Sequence, residues 1–99
     1  MTATTYATTL RIQADHPSLP GHFPAQPIVP GVVLLEAVAD ALRAWRGQRL
    51  AQVIEVKFVA PLLPEQVAEL CLKESGERIR FEIRRDGESL ARGIVAGAP

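Results

Sequence analysis

Between Asp15 and Gly31 the chain carries five prolines and two glycines in 17 residues. Proline fixes φ and removes an amide donor, so this stretch can form neither a continuous helix nor an inner strand. An irregular segment of that length is unusual in a small domain, and such segments are commonly functional. Its apolar residues Phe23, Ile28 and Val29 favour an ordered loop over a free linker. The chain is therefore divided into a short piece before the prolines and a long piece after them.

The short piece, Thr4 to Ile12, alternates as a strand with Tyr6, Thr8, Leu10 and Ile12 on one face. After the prolines, Gly31 opens a helix of about four turns in which Val32, Leu35, Val38, Leu42 and Trp45 recur at helical spacing. Glu36, Asp40 and Arg43 lie on its other side, and Gly47 reads as the C-terminal cap. Strands follow. Ile54, Val56 and Phe58 alternate with charges until Pro61 and Pro64 end the run. Ala68, Leu70 and Leu72 form the next, with a turn at Ser75-Gly76. Ile79, Phe81 and Ile83 form another, and the hairpin signal Asp86-Gly87 leads into a last strand from Leu90 to Ala96. One-sided alternation gives an antiparallel sheet with a single covered face. The expected fold is α+β, an antiparallel sheet wrapped around one central helix, as a single domain over residues 1–99. One helix covers little sheet, and Val33 and Leu34 flank the main stripe, so a homodimer is expected.

Composition removes several function classes. With 47% hydrophobic and 22% charged residues the chain is not globally disordered. Lys and Arg number 11 against 11 Asp and Glu, and zero net charge argues against a dedicated nucleic-acid binder. Cys71 is the sole cysteine, which excludes an internal disulfide and any multi-cysteine zinc site. No secretory signal and no membrane-spanning run are visible, so a soluble cytoplasmic protein without a membrane partner is expected.

The proline-rich stretch holds the parts of an acid–base site. His22 supplies an imidazole, Gly31 begins a helix whose first-turn amides lack intrahelical acceptors, and Glu36 supplies a carboxyl group. Glycine at 31 would let a substrate carbonyl approach its N–H, where the helix dipole adds positive potential. Asp40, one turn beyond Glu36, places a like charge beside it.

The literal string is more specific than the spacing. Gly21-His22-Phe23-Pro24, then Pro27-Ile28, then Pro30-Gly31-Val32 resembles the signature of the FabZ/FabA-type 3-hydroxyacyl-acyl-carrier-protein dehydratases, approximately G-H-F-P-G-x-P-I-M-P-G-V. In that pattern a carboxylate follows the histidine by 14 residues, which is the separation of Glu36 from His22. The stretch Val56–Pro64 resembles the family's strand and proline turn. Ala25 and Glu65-Gln66 depart from the usual glycine and Gly-Asp, Asp40 stands where a glutamine is common, and the chain is shorter than typical members. Short members of this kind resemble dehydratases encoded with aryl-polyene or pigment biosynthesis.

The resemblance implies the hot-dog fold and a homodimer with active sites at the interface, where His22 of one subunit faces Glu36 of the other. It implies His22 as base, Glu36 as acid and the Gly31 N–H as carbonyl ligand. The substrate would be a 3-hydroxyacyl chain on acyl carrier protein, with no metal or organic cofactor. Phe23, Ile28, Val32 and Val33 are candidates for the acyl-chain surface, and each also fits an ordinary core position. A hot-dog acyl thioesterase and a non-catalytic acyl-binding partner subunit are the alternatives. Arg78, Arg80, Arg84, Arg85 and Arg92 are expected on one solvated basic face, which would also suit an acidic carrier protein. Cys71 alternates outward, and Trp45 is expected in the core or a subunit interface.

Overall fold

The computed structural model describes residues 4–16 and 28–99. Its elements are β1 (Thr5–Leu10), α1 (Gly31–Arg46), β2 (Arg49–Phe58), β3 (Ala68–Ser75), β4 (Arg78–Arg85) and β5 (Glu88–Ala98). The strands form one sheet in the order β1-β3-β4-β5-β2, and every neighbouring pair is antiparallel. Helix α1 lies against one face, giving the expected α+β arrangement.

The turn residues act where the sequence places them. Asp86 and Gly87 have φ of 52° and 81°, and two successive positive values are what a two-residue hairpin turn between twisted strands requires. Gly47 ends α1 at φ 66°, with its N–H donated to the Arg43 carbonyl at 2.8 Å. Arg43 and Arg46 occupy the last helical turn, where the dipole favours positive charge.

Alternation sorts the sheet into two faces. Leu70, Leu72, Ile79, Phe81, Ile83 and Val95 are buried toward the helix. Cys71, Lys73, Arg78, Arg80, Arg84 and Arg92 are exposed. Each of the larger buried side chains contributes on the order of 1.5–3 kcal/mol by leaving water. A register shift between Ile83 and Arg84 lets consecutive residues Leu90 and Ala91 both reach the core, each at 0% exposure. Arg85, just beyond this shift, is not on the basic face. Its side chain is 23% exposed and its Nη1 donates to the Pro61 carbonyl at 3.1 Å, so that face keeps Arg78, Arg80, Arg84 and Arg92.

The helix stripe is rotated from the expected one. The buried residues of α1 are Val33, Leu34, Val38, Ala41 and Leu42, whereas Val32 is 60% exposed and Leu35 and Trp45 are half-buried. Residues 32–35 are all apolar, so the first turn leaves the phase of the stripe open, and contact with the sheet decides it. At the C-terminal end of α1 the Trp45 ring stacks on Tyr6, with centroids 6.2 Å apart. The Arg46 guanidinium lies 4.0 Å over the same ring and pairs with Glu74 at 3.2 Å.

Candidate active site

The N-terminus of α1 is built to leave its amides available. Pro30 occupies the N-cap with extended backbone, and among the described residues no side chain caps the helix. The first turn contains no acidic residue. The N–H groups of Gly31 and Val32 have no acceptor within the helix, so a ligand oxygen can take them. Val29, just before, is held in place by its N–H donating to the Leu62 carbonyl at 2.9 Å.

A groove of about 430 Å³ opens at this helix end, lined by Ile28, Pro30, Gly31, Leu34, Phe58 and Val59 among others. Its walls are apolar, and Ile28, Phe58 and Val59 are each about half exposed at 51%, 49% and 52%. A Cβ built on Gly31 would lie 2.5 Å from Phe58 Cζ, so the aromatic ring occupies the space above the glycine. Glycine is therefore favoured here by Phe58 packing, since any Cβ would have to displace the half-exposed ring. The larger groove, about 560 Å³, lies on the exposed sheet face among Lys57, Lys73, Arg80, Glu82 and Arg92. It contains none of the motif residues and no helix end.

The proposed site residues distribute as follows. Gly31 and Ile28 line the groove at the helix end. Glu36 is exposed on α1, on the side away from the sheet, as are Val32 and Asp40. Val32 and Glu36 are four residues apart and adjoin along that open face. Val33, at 2% exposure, is core and packs toward the sheet. His22 and Phe23 lie outside the described residues. Glu36 is not among the residues lining the groove. Among the described residues no cluster of three or more His, Cys, Asp and Glu side chains could hold a metal ion, and no helix is long and apolar enough to cross a membrane.

Phe58 was not singled out for the site in the sequence. It ends an alternating run, and nothing local says that its ring meets the glycine at the start of the preceding helix.

Comparison with known proteins adds the family. A family model described as ApeI-like, the ApeI dehydratase, matches residues 1–94. The 3-hydroxyacyl-[acyl-carrier-protein] dehydratase FabZ of Shewanella woodyi is 30% identical over 88 residues, covering 87% of this chain and 57% of that protein. FabZ of Haemophilus influenzae is 35% identical over 77 residues, covering 68% of this chain and 52% of the relative. The chain thus spans little more than half the length of these curated relatives. Among solved structures, a chain of "The Dehydratase Heterocomplex ApeI:P" from Xenorhabdus doucetiae superposes with a TM-score of 0.82 at 22% identity, covering 97% of this chain and 88% of that one. An uncharacterized protein from Erwinia carotovora subsp. atroseptica gives 0.80 at 24% identity, covering 100% and 88%. These structural likenesses give the fold, which is the hot-dog arrangement of one helix on an antiparallel sheet. With the family match running over residues 1–94, the chain belongs to the ApeI-like dehydratase family.

Proposed function

We propose that this chain is a 3-hydroxyacyl-[acyl-carrier-protein] dehydratase whose oxyanion donor is the Gly31 N–H. The observation that carries the reading is the uncapped start of α1 at Gly31, opening directly onto an apolar groove. Such a helix end offers fixed donors to a thioester carbonyl oxygen as it becomes an enolate oxygen. The groove beside it suits an acyl chain, with Ile28 on its wall and Phe23 and Val32 as further acyl contacts. Val33 has its surface committed to the core.

In this reading the imidazole of His22 removes the proton from C2 of the substrate. The electrons of that C–H bond form the C2–C3 double bond as the C3–oxygen bond breaks. Protonated Glu36 of the facing subunit gives its proton to the departing hydroxyl, which leaves as water, and a trans-2-enoyl thioester remains. The thioester acidifies C2 by itself, so the scheme calls on no metal or organic cofactor. Exposure of Glu36 and Val32 on one helix face supports a second subunit there, and we take it to be another copy of the same chain. The partner that presents the substrate is acyl carrier protein, and the compartment is the cytoplasm.

The test is mass spectrometry of 3-hydroxyacyl carrier protein incubated with the purified protein. Loss of one water, abolished by His22→Ala, is the expected result. Release of a free thiol instead would identify a thioesterase. An unchanged mass across several acyl groups, with the protein folded, would overturn the reading in favour of a non-catalytic acyl-binding subunit.

A further inference from the structure

The connection from β2 to β3 ties down both ends of the stretch that carries His22. Where the chain leaves β1, the Glu65 N–H donates to the Ile12 carbonyl at 2.8 Å. The Ala14 N–H donates to Glu65 Oε2 at 2.7 Å, and Arg11 Nε stands 3.8 Å from Oε1. Where the chain enters α1, the Val29 N–H donates to the Leu62 carbonyl at 2.9 Å. Leu62 is 0% exposed, so this second anchor belongs to the core. The two anchors are only three residues apart in sequence.

The connection is itself braced from β4. Arg85 Nη1 donates to the Pro61 carbonyl at 3.1 Å and to Gln66 Oε1 at 2.8 Å. The same Gln66 oxygen accepts the Leu63 N–H at 3.0 Å. One guanidinium thus holds the start and end of the Pro61–Gln66 segment together.

Glu65 has a φ of 69°, in the left-handed region that side chains with a Cβ avoid. Glycine would hold this backbone without strain and would keep the bond to Ile12. It would have no carboxylate for Ala14. A strained residue retained where its side chain makes a contact that glycine cannot is an observation that points to use.

We propose that Glu65 and Arg85 are positioning residues: they hold the chain at Ile12–Ala14 and at Val29, on either side of the stretch that carries His22, and so set the turnover of the reaction proposed above. The geometry stands alone, whereas the kinetic consequence rests on the dehydratase reading. Misplacing a catalytic group by about 1 Å can reduce turnover on the order of a hundredfold.

The test compares Glu65→Gly, which removes the carboxylate and suits the backbone, with Glu65→Gln, which keeps an acceptor oxygen, and Arg85→Leu. Amide exchange at Ala14 and Val29 and the His22 imidazole resonances are followed by NMR, beside steady-state dehydration. In Glu65→Gly, Ala14 is expected to exchange faster, the His22 signals to move, and kcat to fall at least about tenfold with KM within about twofold. Glu65→Gln is expected to restore most of the loss, and Arg85→Leu to loosen Val29 and Ala14 together. Wild-type kcat and unmoved His22 signals in Glu65→Gly would overturn the proposal. So would a loss of kcat that Glu65→Gln does not recover. If the unmodified protein dehydrates nothing, the dehydratase reading fails, and the proposal then stands or falls on the Ala14 and His22 signals alone.

Discussion

The ring of Phe58 rests on the Cα of Gly31, close enough that a Cβ at position 31 would fall 2.5 Å from Cζ. A residue at the end of β2 thereby favours glycine at the start of α1. The same contact places an aromatic wall beside the first amide of the helix.

Gly31→Ala is expected to destabilise the protein by about 1 kcal/mol, at the low end for overpacking, because the half-exposed Phe58 ring can swing outward. The displaced ring would enter the groove, so dehydration should fall more than stability does. A double-mutant cycle with Phe58→Ala, read by chemical denaturation, is expected to give a coupling of about 0.5 kcal/mol or more. Additive effects would mean that the two residues are not in contact.

Subunit exchange tests whether the acid and base come from different chains. His22→Ala and Glu36→Ala should each lose about 10²–10⁴ in turnover. Mixing the two inactive proteins after reversible dissociation should restore about a quarter of normal activity. About half of the dimers would then be mixed, each with one intact and one doubly defective site. Recovery of no activity, with mixed dimers confirmed by native mass spectrometry, would place His22 and Glu36 of a site on one chain.

Adjacent valines on α1 should behave oppositely. Val33 is 2% exposed, and Val33→Ala is expected to cost about 2 kcal/mol. That would lower Tm by about 8 °C or more for a domain of this size. Val32 is 60% exposed, so Val32→Ala should change unfolding of a single protomer by less than about 0.5 kcal/mol. In the homodimer proposed above, its effect should appear in the dissociation constant, measured by sedimentation.

Much of the fold was legible because side-chain period and turn chemistry are local properties. Ser75-Gly76 and Asp86-Gly87 located the hairpins, and Gly31 and Gly47 bounded the helix. The start of β2 was not legible. Register shifts between Leu50 and Gln52 and between Val53 and Glu55 break the two-residue period, so the pattern becomes regular only near Ile54. The helix phase was lost for a different reason, since a four-residue apolar run fits more than one stripe. In the site, the string around His22 and Gly31 was readable as a motif. The contacts of Phe58 with Gly31 and of Glu65 with Ala14 join residues far apart in sequence, and no local pattern encodes them.

Trp45 is the only tryptophan, and it sits beneath Arg46 and against Tyr6 at the far end of the same helix. Fourteen residues of helix separate it from Gly31, a distance of about 21 Å at the helical rise per residue. Its emission should therefore act as a gauge of how firmly β1 is docked on the helix end, silent toward an acyl chain entering at the opposite end. The protein carries an optical probe of its folding that is spatially insulated from the groove at the start of the helix.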